Sequence, residues 1–202
     1  MTSKLPTVLE LLGKAVPYLA DAGIETARLD AEVLLADILA MDRIGLYVNF
    51  DRPLEKKEVD AYRQALIQRA KRVPLAYIIG KKEFMSLDFK VTPAVLVPRP
   101  ETELLVETAI QKLKGRRGAA QCLRVVDVGT GSGAIAVTIA KNVLEAEVWA
   151  IDISAAALEV AKENAELHGV SDRVRWLHGN LLDPLRQYPA FSAELIVSNP
   201  PY

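Results

Sequence analysis

The stretch Val125-Val126-Asp127-Val128-Gly129-Thr130-Gly131-Ser132-Gly133-Ala134-Ile135-Ala136 constrains this chain more than any other. β-Branched residues, then three glycines within five positions, then an alanine- and isoleucine-rich run predict a strand, a tight turn and a helix in immediate succession. Glycine has no Cβ and reaches positive φ without strain. Such a turn lets the backbone approach a ligand closely and presents helix N-terminal N–H groups to it. Gly129, Thr130, Gly131, Ser132 and Gly133 therefore read as a cofactor loop. The loop alone leaves the cofactor open, because Gly129-x-Gly131-x-x-Ala134 satisfies the loose dinucleotide fingerprint and suits S-adenosylmethionine as well. Asp152 ends the next predicted strand, Glu147-Val148-Trp149-Ala150-Ile151-Asp152, and is placed to hydrogen-bond ribose hydroxyls in either case.

The other end of the segment is more selective. A last strand, Glu194-Leu195-Ile196-Val197-Ser198, runs into Asn199-Pro200-Pro201-Tyr202. Two prolines cannot donate to a sheet, so the tetrapeptide leaves at the carboxyl edge, where open parallel sheets bind their ligands. If the two strands are neighbours, Asn199 shares a rim with the glycine loop. A planar NH2 group, whether carboxamide or aromatic amine, is a poor nucleophile because its lone pair is delocalised. The Asn199 side-chain oxygen and the Pro200 carbonyl can each accept one of its N–H groups and favour its pyramidal form. Pro200 and Pro201 hold those acceptors with little freedom, and Tyr202 offers a flat stacking face. In-line transfer from a sulfonium needs positioning more than acid or base help.

Asp127-x-Gly-x-Gly-x-Gly133, Asp152 and Asn199-Pro-Pro-Tyr202 together resemble motifs of the Rossmann-like, S-adenosylmethionine-dependent methyltransferases that modify planar amino groups. Tyr77-Ile-Ile-Gly80-x-x-Glu83-Phe84, Val97-Pro-Arg-Pro-Glu-Thr-Glu103 and a helical N-terminal segment closely resemble the release-factor glutamine methyltransferases, a likeness through nearly the whole chain. That resemblance implies methyl transfer from S-adenosylmethionine to a glutamine side-chain amide nitrogen of a peptide-chain release factor, the protein partner. It implies that Asp127, the loop Gly129 to Gly133, Asp152 and Asn199 hold the donor, with Asn180 at the adenine edge and Leu181 on its ring. Asn199, Pro200, Pro201 and Tyr202 would act on the acceptor, with Arg99 and Glu101 over the donor pocket. The donor carries an ammonium and a sulfonium and lacks a pyrophosphate, so an acid at Asp127 suits it electrostatically. The family continues with further strands, so the catalytic domain is expected to be truncated after strand four. Two other classes are kept open: an adenine amino-group methyltransferase acting on DNA or RNA, which shares Asn-Pro-Pro-Tyr, and a donor-binding fragment that docks a partner without turnover.

Composition narrows these. The 202 residues are 50% hydrophobic and 25% charged, enough apolar material for two cores, and the net charge of −1 supplies no general basic field for gripping nucleic acid. The single cysteine, Cys122, has no intrachain partner and fits a reducing, cytoplasmic setting; it reads as a small buried or half-buried residue. No apolar run approaches bilayer length, no secretion signal opens the chain, and neither His168 nor His178 has companions at metal-ligand spacing.

The fold class expected is α + α/β. Residues 1–73 read as a helical bundle, to which the resemblance assigns substrate recognition, 74–98 as a β-hairpin linker, and 99–202, by the same resemblance, as an incomplete Rossmann-like methyltransferase domain. In the bundle, Val8, Leu9, Leu12, Val16 and Leu19 repeat at helical spacing, with Pro17 expected to kink or divide the segment. Thr26 is an expected N-cap ahead of one apolar face made by Leu29, Val33, Leu34, Ile38 and Met41. Arg63, Arg69, Lys71 and Arg72 read as a solvated helix face. In the linker, Ala76–Gly80 and Phe84–Val91 read as β-favouring runs either side of a turn at Lys81-Lys82-Glu83.

Overall fold

A computed structural model of the protein describes residues 5–115 and 122–200. The chain divides into two compact units, Met1–Ile79 and Gly80–Tyr202.

The first unit is helical: α1 (Val8–Asp21), α2 (Ala27–Ile38), α3 (Arg43–Val48), α4 (Lys56–Ala70) and α5 (Leu75–Ile79). A reciprocal capping box starts α1, where Thr7 Oγ1 accepts from the Glu10 amide and the Glu10 carboxylate accepts from the Thr7 amide. Pro17 lies inside α1 without dividing it. The α2 pattern differs from the expected single face. Leu29 is exposed, while Ala27, Ala31, Leu34 and Leu35 are buried together with Asp30 and Glu32. The cause is that α1, α3, α4 and α5 all pack on α2, so little of its circumference stays in water. Its buried acids are paired, as burial of charge demands. Glu32 accepts from Arg28, Arg43 and Tyr47, and Asp30 from Arg69 and from the Thr26 hydroxyl. Thr26 stands at the N-cap position but its side chain does not cap the backbone. Arg69 thus belongs to a part-buried pair and departs from the expected solvated face, whereas Arg63, Lys71 and Arg72 are exposed, Arg72 also donating to the Gly23 carbonyl.

The second unit opens with an antiparallel hairpin, β1 (Lys81–Phe84) and β2 (Leu87–Lys90). The hairpin forms, but its register is shifted: Lys81 to Glu83 are strand, the turn is Met85-Ser86 with φ of +51° and +59°, and Leu75–Ile79 is helical. Burial sets that register, since Phe84 and Phe89 both fall on the inner face with ring centroids 6.1 Å apart. Then follow α6 (Glu101–Lys114), β3 (Leu123–Val128), α7 (Ala134–Asn142), β4 (Ala146–Asp152), α8 (Ala155–Leu167), β5 (Val174–His178) and β6 (Leu195–Ser198). The four later strands form one parallel sheet in the order β5-β4-β3-β6. Alternate residues of its central strands enter opposite cores. Val125, Val148 and Ala150 face α6, α7 and the hairpin phenylalanines, whereas Val126, Val128, Trp149 and Ile151 pack with Leu185 and Phe191. Strand succession runs from β3 outward to β5, then returns to β6 on the far side of β3, so the order reverses between β3 and β6. Such a reversal opens a crevice at the carboxyl ends of the strands.

Candidate active site

Both motif ends meet at that crevice. Val128 pairs with Ser198, so the next residue on each strand, Gly129 and Asn199, emerges side by side. A cleft of about 280 Å³ opens there, lined among others by Val95, Leu96, Gly129, Gly131, Asp152, Asn180, Leu181, Asn199 and Pro200. An adjoining recess is lined by Arg99, Thr102, Thr130, Ser132 and Ile135, and shares Leu96, Gly129, Gly131 and Asn199.

The three loop glycines separate by what a side chain would meet. All have positive φ, at +72°, +56° and +78° for Gly129, Gly131 and Gly133. A Cβ at Gly129 or Gly131 would meet nothing within 4 Å, whereas one at Gly133 would lie 3.0 Å from the Ala161 Cβ. Two glycines thus face the cleft, and the third lets α7 close on α8. Four of the loop amides are satisfied within the chain. Gly129 and Thr130 donate to the Ile151 carbonyl, Gly133 to the Thr130 carbonyl, and Gly131 to Asp152 Oδ2 at 2.9 Å. The reason is the adjacent β4 end, whose backbone and terminal carboxylate satisfy the turn from within.

Asp152 lies on the rim with both oxygens engaged, Oδ1 accepting from the Ser154 amide. Each oxygen keeps a further lone pair for a hydroxyl. This carboxylate occupies the Gly131 N–H that a pyrophosphate would need and would repel its charge. The pocket instead favours a cationic ligand.

Asp127 is fully buried and does not line the cleft. Its Oδ2 accepts from Thr130 Oγ1 at 2.6 Å. Burial pushes the carboxyl up to about 7, against the pull of the Thr130 hydroxyl and the Ala136 amide, and Asp152 raises it further. Asp127 therefore braces the loop through Thr130, and its relation to a ligand is indirect.

The remaining sequence-derived residues divide. Asn180 and Leu181 line the cleft, Leu181 at φ +46°. Arg99 lines the recess, while Glu101 is exposed in the first turn of α6 and lines neither. Pro201 and Tyr202 lie outside the described residues. His168 and His178 are hydrogen-bonded through Nε2 to the carbonyls of Asp88 and Ile153. Cys122 is exposed, contrary to the expected burial, because it precedes the first residue of β3 rather than joining it. Sequence reasoning missed Thr102, Leu96, Ile153 and Ser198 in the lining; Thr102 alone had a signal, its place inside Arg99-Pro-Glu-Thr-Glu103. A larger cleft of about 910 Å³ lies in the first unit between α1 and α4.

Comparison with known proteins agrees with this division. Residues 10–80 match the family model described as the PrmC N-terminal domain, and residues 100–202 match the methyltransferase small domain. Release factor glutamine methyltransferases from Geobacter sulfurreducens, Rhodopirellula baltica and Chlorobaculum tepidum are 46%, 44% and 41% identical over 97%, 97% and 98% of this chain. The chain spans 65%, 66% and 68% of those relatives' own lengths. Among solved structures, a SAM-dependent methyltransferase from Agrobacterium tumefaciens gives a TM-score of 0.49 at 22% identity, covering 60% of this chain and 39% of that one, a likeness too distant to add to the sequence matches. The chain belongs to the release factor glutamine methyltransferase family, and its second unit is a Rossmann-like, S-adenosylmethionine-dependent methyltransferase domain.

Proposed function

We propose that the protein transfers a methyl group from S-adenosylmethionine to the side-chain amide nitrogen of a glutamine in a peptide-chain release factor. One observation carries this reading: the β3–β6 register sets Asn199 beside Gly129, so a donor-type loop and an amide-binding residue share one cleft. When bound, S-adenosylmethionine supplies an electrophilic methyl on a sulfonium. Gly129 and Gly131 admit its close approach, Asp152 offers acceptors to its ribose hydroxyls, and Asn180 and Leu181 receive its adenine.

The acceptor's difficulty is electronic, because an amide lone pair is delocalised into its carbonyl. Asn199 Oδ1 and the Pro200 carbonyl accept its two N–H groups, hold the nitrogen toward the methyl and lower the cost of pyramidalising it. No strong base is required at the cleft, since the methylated nitrogen sheds its proton readily to water. The first unit resembles the relatives' N-terminal domain and serves, in this reading, to hold the release factor. We place the reaction in the cytoplasm, where translation terminates; no helix among the described residues is long and apolar enough to cross a membrane.

The test uses methyl-labelled S-adenosylmethionine with a release factor, the same factor carrying Gln→Ala at the modified position, and DNA or RNA. Label on the intact factor alone supports the proposal. Label on nucleic acid but not on the factor refutes it in favour of adenine modification. Donor bound in a titration without transfer to any acceptor identifies the chain as a binding fragment.

A further inference from the structure

We infer that Thr102, in the first turn of α6, is the positioning residue that fixes which end of the Asn199 amide faces the acceptor; the inference rests on the function proposed above. Asn199 Nδ2 donates to Thr102 Oγ1 at 2.7 Å, across 97 positions of sequence. Thr102 is only 7% exposed and lines the recess beside Gly129 to Ser132. An asparagine side chain has one accepting end and one donating end. With Nδ2 committed to Thr102, Oδ1 is the end left to accept from an incoming NH2 group. A reversed amide would set N–H against N–H and repel the substrate.

The backbone that carries the hydroxyl is held in place from two sides. The Thr102 amide donates to the Arg99 carbonyl at 3.0 Å, and the neighbouring Glu103 Oε1 accepts from the Met85 amide at 2.8 Å, tying the start of α6 to the hairpin turn. On the strand side, Ser198 Oγ donates to the Val128 carbonyl at 2.8 Å, fixing the residue before Asn199 to β3. The Asn199 side chain is therefore suspended between two anchored points. Of the Arg99-Pro-Glu-Thr-Glu103 segment, the threonine reaches the acceptor residue, and Glu103 secures the threonine.

The test is made on the ¹⁵N-labelled full chain. The Asn199 side-chain NH2 pair is assigned by its disappearance in Asn199→Asp. In Thr102→Val these protons are expected to shift and to exchange with solvent about fivefold faster, the loss of roughly one neutral hydrogen bond. Thr102→Ser is expected to restore the wild-type signal. Methyl transfer to a release factor should fall on the order of ten- to a hundred-fold in Thr102→Val with donor affinity unchanged, as expected when a reacting group is misoriented. Unchanged Asn199 signals in Thr102→Val, failure of serine to restore them, or donor affinity falling in step with transfer would each overturn the inference. Thr102→Ala is read in the same way should the valine variant not fold. If Asn199→Ala leaves transfer intact, the functional reading fails instead, while the resonances still report whether Thr102 holds the amide.

Discussion

At the scale of single residues, Asp127 shows how a buried acid can make a cofactor loop sensitive to pH. Its carboxyl has an ordinary value of 3.8 and is raised by burial to about 7 in the folded chain. A carboxyl raised on folding costs nothing below the unfolded value, where both states are protonated. Stability is then lost as pH climbs toward the folded value, and the loss is complete above it. From pH 4 to 7 this single group should remove up to about 4 kcal/mol, at roughly 1.4 kcal/mol per unit. Asn in its place keeps the shape and cannot ionise, so Asp127→Asn should flatten that decline in urea titrations. An unaltered slope would show that Asp127 ionises as freely folded as unfolded. The glycines make a second comparison possible. Alanine at either Gly131 or Gly133 incurs left-handed strain of roughly 1–2 kcal/mol. At Gly133 the methyl also meets Ala161, whereas at Gly131 it projects into open cleft. Gly133→Ala should therefore lower Tm more, and Gly131→Ala should weaken S-adenosylmethionine binding more in calorimetry. The reverse ranking would mean that the two glycines have been assigned to the wrong tasks.

At the scale of elements, the donor loop is held by structures distant in sequence, and Asn164 is the clearest joint. This fully buried residue of α8 accepts from the Lys90 amide at 2.7 Å and donates to the carbonyls of Lys90 at 3.0 Å and Ser132 at 2.9 Å. The hairpin, α8 and the glycine loop thus share one side chain. Asn164→Asp replaces the donating NH2 with an acceptor facing two carbonyls, and the cost expected is about 3 kcal/mol or more in chemical denaturation. A change below about 0.5 kcal/mol, the level typical of a neutral surface substitution, would remove Asn164 from that role. Such joints also mark where the sequence stops being readable. The strands β3 to β6 and the glycine turn follow from local patterns, as runs such as Val125-Val126 and three spaced glycines carry their own signals. The hairpin register did not, because Met85-Ser86 lacks the Asn-Gly or Asp-Gly signature of a tight turn although both residues adopt positive φ. Helix α5 was hidden by its aromatic and β-branched residues, with packing overriding propensity over five positions. Adjacency of Gly129 and Asn199 could be stated only as a condition on strand order, and the Thr102–Asn199 bond has no counterpart in periodicity.

At the scale of the whole molecule, apolar residues are gathered into separate clusters. One runs from Val8 to Ala65 with Leu75, Ile78 and Ile79 packed on it, and others lie in the second unit, one from Phe84 to Val197 and one from Val126 to Ile151. Residues 1–79 are therefore expected to fold alone, as a helical protein with a cooperative thermal transition by circular dichroism. The margin is narrow, because a chain of this length buries a modest share of its surface. Two polar contacts inside the cluster then weigh heavily. Tyr62 donates its buried hydroxyl to the Ala31 carbonyl at 2.9 Å, and Glu32 gathers Arg28, Arg43 and Tyr47 around one carboxylate. Burial pushes the Glu32 carboxyl up, but the hydrogen bonds from Tyr47, Arg43 and Arg28 outweigh it and hold the group below its ordinary 4.5. A carboxyl lowered on folding contributes stability above the unfolded value, and that contribution fades as pH falls through the folded one. The isolated fragment should thus lose stability on acidification below about pH 4.5, and Glu32→Gln should remove part of that acid dependence while lowering stability at neutral pH. A fragment without a cooperative melt would place the stability of α1 to α5 outside their own core. A cooperative melt in which Glu32→Gln leaves the acid limb unaltered would instead keep the core and discard the carboxylate as its pH-dependent tie.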